Sequence, residues 1–176
     1  MVFYIKFYRK VIIVRDHYIA TEYAMSKGVG VADKRLPSFD KALLDAGVGN
    51  YNLVKLSSIL PARCHEVKIS NITNRIREGS LLPTAYATIS ADRLGMKIAS
   101  AIAIGFPADF DKVGVIMEYS DAGISSEKAE AVVSEMVREA FDERGWELSR
   151  IKVVSVGATV EKEGTTVTTF ACVAEW

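Results

Sequence analysis

Residues Val113–Gly145, VGVIMEYSDAGISSEKAEAVVSEMVREAFDERG, hold the two patterns from which the fold is read. Val113 to Tyr119 is a β-branched and aromatic run of strand length. Beyond it the apolar residues Ala129, Val132, Val133, Met136, Val137, Ala140 and Phe141 recur three and four apart. That spacing draws a single apolar stripe along a helix. Ser125 or Ser126 caps the helix, Glu127 puts negative charge in its first turn, where the dipole favours it, and Gly145 closes it. A helix with one apolar face has to bury that face, and the strands around it supply a sheet to bury it on.

Working outward, Thr84–Ser90 and Lys97–Phe106 read as strands separated by a turn at Asp92–Gly95. Ile151–Val160 and Thr166–Trp176 flank Glu161–Lys162–Glu163–Gly164, a hairpin signal. Upstream, Asn52–Ser58 reads as a strand that Pro61 stops, since proline cannot donate to a ladder. A short helix follows Pro37, with Phe39, Ala42, Leu43 and Ala46 at helical spacing and Gly47 and Gly49 at its end. Ser26–Arg35, with Gly28 and Gly30, reads as a loop, Val11–Ala24 as one or two strands, and Cys64–Ser80 as polar and irregular. Six or seven strands and two helices without βαβ alternation or internal repeat predict an α+β sandwich of antiparallel or mixed sheets, helices outside. At 176 residues the chain is expected to form one domain.

Composition narrows the function. Hydrophobic residues are 49% and charged residues 25%, an ordinary folded balance, and 22 basic residues cancel 22 acidic ones. With no basic cluster, nucleic acid is not an expected partner. Cys64 and Cys172 lie far apart without metal spacing, and His17 and His65 are the only histidines, so no metal site is expected. Cys172, between Ala171 and Val173, reads as a small core residue. The apolar N-terminus is interrupted by Lys6, Arg9 and Lys10, too soon for a membrane span or an export signal, which predicts a cytoplasmic protein with no membrane partner. Gly28 and Gly30 are followed neither by a phosphate-loop GKS or GKT nor by a GxGxxG opening a helix, which removes ATP and dinucleotides.

Three places could carry chemistry. Ser57 and Ser58 end an apolar strand; by strand alternation Asn52, Val54, Leu56 and Ser58 would share a face, although Ser-Ser pairs more often simply bond the next turn. Glu118 interrupts the apolar strand Val113–Tyr119 and is either solvated or a buried acid with a task. Asp40 lies on the short first helix, where an acidic residue needs no further reason.

In order along the chain, the strings Leu36–Pro61, Leu82–Tyr86, Ile116–Tyr119 and Arg144–Leu148 resemble the pyruvoyl-dependent arginine decarboxylases of archaea and some bacteria. The resemblance runs from about Val11 to Trp176. It implies an αββα layered sandwich, a homotrimer with sites between neighbouring subunits, and L-arginine as the small-molecule substrate. It also implies self-cleavage between Ser57 and Ser58, giving chains 1–57 and 58–176, with a covalent pyruvoyl group made from Ser58. Decarboxylation leaves a carbanion at Cα, and the pyruvoyl carbonyl, condensed with the substrate amine, is the electron sink that no ordinary side chain offers.

By the same resemblance Glu118 would deliver a proton to Cα, in an apolar setting with Ile116 and Met117 beside it. Asn52 would steady charge beside the cleavage site. Asp40 would pair with the guanidinium, and Leu36, Leu43, Gly49, Tyr51 and Ile59 would line the pocket. Tyr51 is bulkier than the aliphatic residue expected there. A different cationic amino acid is the alternative substrate, and an unprocessed trimeric binding module the alternative class.

Overall fold

The computed structural model describes residues 19–176. Nine strands and two helices follow in chain order: β1 (Glu22–Ala32), α1 (Arg35–Asp45), β2 (Asn52–Lys55), β3 (Ile59–Leu60), β4 (His65–Glu66), β5 (Leu81–Ala91), β6 (Lys97–Pro107), β7 (Gly114–Ala122), α2 (Ser126–Arg144), β8 (Leu148–Thr159) and β9 (Thr166–Glu175). A 3-10 turn, Ile69–Asn74, separates β4 from β5. The strands form a five-stranded sheet, β2-β5-β9-β1-β4, and a four-stranded sheet, β3-β7-β6-β8. The pairings β1–β4 and β2–β5 are parallel and the rest antiparallel, so the first sheet is mixed.

The cores stack as layers. Ala42, Ala46 and Val48 pack with Phe170 and Cys172 beneath α1 on the outer face of the first sheet. Val133, Val137 and Phe141 of α2 pack on Ala99, Ala101 and Ala103 on the outer face of the second. Tyr23, Ala171 and Val173 meet Ile102, Ile104 and Ile116 between the sheets. The order helix, sheet, sheet, helix is the expected α+β sandwich. Helix α2 is capped by Ser125, whose hydroxyl accepts from Lys128 N–H, and ends at Gly145 in the left-handed conformation. Pro37 falls in the first turn of α1, where a missing N–H costs no helical bond.

Three expectations are corrected. Ser26–Ala32 is not a loop but the second half of β1, paired with Val167–Cys172 and its neighbours along β9. Its glycines are where α1 touches down: a Cβ on Gly28 would lie 2.2 Å from the Ala42 carbonyl oxygen, and one on Gly30 1.9 Å from that of Ser38. The glycines therefore serve helix approach rather than chain reversal. Second, β8 and β9 form no hairpin. All ten residues of β9 are buried, and a strand covered on both faces gains partners on both sides by inserting between β5 and β1 of the other sheet. Third, the strand from Asn52 ends at Lys55, and Ser58 sits at φ +83°. Of the predicted strand Val11–Ala24, residues 11–18 lie outside the described residues; Glu22–Ala24 opens β1.

Candidate active site

The Ser57–Ser58 peptide lies where the chain crosses from one sheet to the other. Strand β2 is the edge of the first sheet, held by β5, and β3 is the edge of the second, held by β7. Two residues separate Lys55 from Ser58, and Ile59 already pairs with Val115. To make this step Ser58 takes a positive φ, which costs an L-residue about 1–2 kcal/mol. Its carbonyl oxygen accepts from Ile116 N–H at 2.9 Å. Ser57 is exposed and Ser58 half-buried.

Glu118 stands two residues beyond Ile116 on β7, so the two share the face turned toward the other sheet. Its surroundings differ from the expected apolar ones. Ile116 is buried beside it, but Met117 points to the α2 side, and Lys55 Nζ lies 2.7 Å from Glu118 Oε1. The other oxygen, Oε2, is buried and has no hydrogen-bond partner among the described residues. The Lys55 ammonium also lies 4.8 Å from the centre of the Tyr86 ring. Sequence reading missed Lys55. Its signal was a lone cation in the apolar stretch Leu53–Val54–Lys55–Leu56.

The remaining candidates divide into two groups. Asn52, at the start of β2, donates from Nδ2 to the Gly79 carbonyl at 2.7 Å and braces the turn into β5. With the strand broken at Lys55, alternation no longer puts Asn52 on the face of Ser58, which corrects that expectation. Ile59, exposed at 41%, follows Ser58 directly. These residues belong to the crossing. The second group lies along α1 on the outer face of the first sheet: Leu36, Asp40 and Leu43 are spaced four and three, one helical stripe.

Leu36 is 75% exposed and Leu43 half-buried against the core. Asp40 is exposed and, among the described residues, makes no ion pair or side-chain hydrogen bond. Gly49 lets Leu44 fold over it, since a Cβ there would lie 2.7 Å from Leu44 Cδ2. Tyr51 is 8% exposed, with its ring in the α1 core and its hydroxyl donating to Ile76 O, so in this chain it packs rather than opens a pocket.

Other reactive groups are quiet. Cys172 is fully buried and its thiol is pushed up to about 12 by burial, as a core residue should be. Cys64 is pushed up to about 11, chiefly by burial and then by Glu175, which leaves little thiolate near neutral pH. His65 is exposed on β4. Among the described residues no helix is long and apolar enough to cross a membrane.

The profile of the pyruvoyl-dependent arginine decarboxylase family matches residues 22–175. The curated pyruvoyl-dependent arginine decarboxylase of Methanocaldococcus jannaschii is 41% identical over 149 residues, 85% of this chain and 86% of that protein. That of Methanococcus aeolicus is 40% identical over the same length, and that of Thermococcus kodakarensis is 44% identical over 133 residues, 72% of this chain and 78% of that protein. The class is therefore that of the pyruvoyl-dependent decarboxylases. Within it, the chain belongs to the pyruvoyl-dependent arginine decarboxylase family.

Proposed function

We propose that this chain cleaves itself between Ser57 and Ser58 and, as a cytoplasmic homotrimer, converts L-arginine to agmatine and carbon dioxide for polyamine synthesis. The observation that carries the reading is the placement of the Ser57–Ser58 bond. It spans two sheet edges that are anchored independently, with a backbone at Ser58 that is strained before any chemistry begins. A cut there leaves β2 on β5 and β3 on β7, so the fold does not depend on the bond that is lost.

In the processing step, Ser58 Oγ attacks the carbonyl carbon of Ser57. The bond from that carbon to Ser58 N breaks, the nitrogen takes the hydroxyl proton, and an ester joins the two residues. Loss of the Ser58 α-proton expels the Ser57 carboxylate and leaves dehydroalanine at position 58. Its imine tautomer takes up water and releases ammonia, which makes the pyruvoyl end of chain 58–176. That group supplies an electron sink for decarboxylation.

The crossing fits such a group. The Ser58 carbonyl, which would flank the new ketone, already receives the Ile116 N–H, and a fixed donor favours negative charge building up on that oxygen. Glu118, on the same strand and facing the crossing, delivers the proton to the substrate carbon after carbon dioxide leaves. Asn52 holds the backbone next to the cut through Gly79.

Substrate choice rests on Asp40, whose free carboxylate is suited to a planar guanidinium fork. Relatives bearing the arginine decarboxylase name support it. Asp40 and Leu36 rise from α1 while Ser58 lies at the crossing. A trimer that sets α1 of one copy against the crossing of the next unites them.

Mass spectrometry of the purified protein tests the reading. Chains 1–57 and 58–176 are expected, the larger blocked by a pyruvoyl end, with labelled carbon dioxide released from arginine faster than from lysine, ornithine or histidine. S58A removes the attacking hydroxyl and is expected to stay whole and inactive. Cleavage of S58A at the same bond would falsify the proposal.

A further inference from the structure

The ion pair at the crossing treats the two oxygens of Glu118 unequally. Oε1 is held at 2.7 Å by the Lys55 ammonium, while Oε2 is buried without a hydrogen-bond partner among the described residues. The last torsion of a glutamate is broad and close to two-fold, so an untied carboxylate exchanges its oxygens freely. Tying one oxygen decides where the other points.

Lys55 is able to tie it because Lys55 is itself placed. It is the last residue of β2, in parallel register with Thr84 of β5, and its charged end lies against the Tyr86 ring. An exposed ion pair contributes little by itself. Here Glu118 is only 27% exposed and its Oε2 is buried, so removal of the cation leaves Oε1 to solvent and Oε2 with no partner among the described residues. The pair also joins the two sides of the Ser57–Ser58 bond, since Lys55 precedes it and Glu118 follows it.

We infer that Lys55 is a positioning residue of the decarboxylation site: it clamps Glu118 Oε1 so that Oε2 presents its proton to the substrate carbon left by carbon dioxide. The inference rests on Glu118 as the proton donor, and its test separates the two. A misplaced proton has a chemical signature. Delivered to the former Ser58 α-carbon in place of the substrate carbon, it leads, with one water, to an aldehyde from the substrate and retention of the substrate nitrogen on the protein. The substrate carbon is oxidised, the prosthetic carbon reduced, and chain 58–176 then begins with alanine. A pyruvoyl end blocks stepwise N-terminal degradation, whereas an alanine end permits it.

The experiment compares the purified, assembled wild type with K55M, K55R and E118Q during turnover with arginine. Cleavage, kcat, KM and the alanine ends formed per turnover are followed for each. K55M is expected to cleave normally, to lose about tenfold or more in kcat with little change in KM, and to gather alanine ends faster. K55R, which keeps the cation, is expected to recover most of both losses. K55M turning over and partitioning as wild type overturns the inference while leaving Glu118 as donor. So does K55R no better than K55M, or failure of K55M to cleave, which would make Lys55 a folding or processing residue. E118Q with normal turnover overturns the donor reading itself, and the role of Lys55 with it.

Discussion

Glu175, on β9, is the one acidic side chain among the described residues that is both 4% exposed and left with an oxygen lacking any partner. It pairs in register with Tyr23, and both turn toward the space between the sheets. Burial pushes its carboxyl from 4.5 up to about 7. Unfolded, the group gives up its proton near 4.5; folded, it keeps it until about 7. Between those values the unfolded state binds fewer protons, so stability falls as pH rises through this window and is level above it. The buried charge is thus a cost at neutral pH and none in acid. E175Q removes the ionisation and is expected to gain on the order of 2 kcal/mol at pH 8 and little at pH 4.5, read from urea midpoints at the two values. Equal gains at both would mean that packing, not charge, is what changed.

At the scale of elements, the contact between β1 and α1 sets the outer layer of the first sheet. Gly30 has the Ser38 carbonyl where its Cβ would stand, and Ser38 Oγ donates back to the Gly30 carbonyl while meeting Thr168 in the sheet below. G30A forces helix and strand apart, and a loss of about 3 kcal/mol is expected in denaturant unfolding. Helix α2 and strands β5 to β7 were legible because their patterns are local: a period of 3.6 with a serine cap, and runs of β-branched residues. Gly28 and Gly30 misled because the reason for them is a helix whose nearest atoms belong to residues 14 and 8 positions away, which no window of strand propensity contains. The Glu161–Gly164 turn misled differently. It is a real turn, with Gly164 at positive φ, but whether the strands beside it pair is decided by β1 and β5. Of the candidate site, the serines and Glu118 could be found as residues out of keeping with their strands. Lys55 stood out only as a lone cation among apolar neighbours, and its meaning comes from a carboxylate 63 positions later.

For the whole molecule, the candidate residues divide between α1 and the crossing, so on the proposed reading the assembly would be part of the chemistry. If α1 of one copy serves the crossing of its neighbour, D40A and S58A chains damage different halves of a shared site. Assembled from chains mixed before refolding, they are expected to recover activity that neither shows alone; mixtures no more active than their parts would confine each site to one copy. The sheet order β2-β5-β9-β1 carries a last consequence. The segment before Ser58 contributes β1 and β2, and these enclose β5 and β9 from the segment after it. If the chain is severed as proposed, the two pieces would remain interlaced, each strand of the smaller gripping a strand of the larger. Denaturation would then disperse what was made as a single thread, and recovery would become a meeting of two molecules. On that reading a processed protein would inherit an arrangement that its own fragments would have to rediscover by collision.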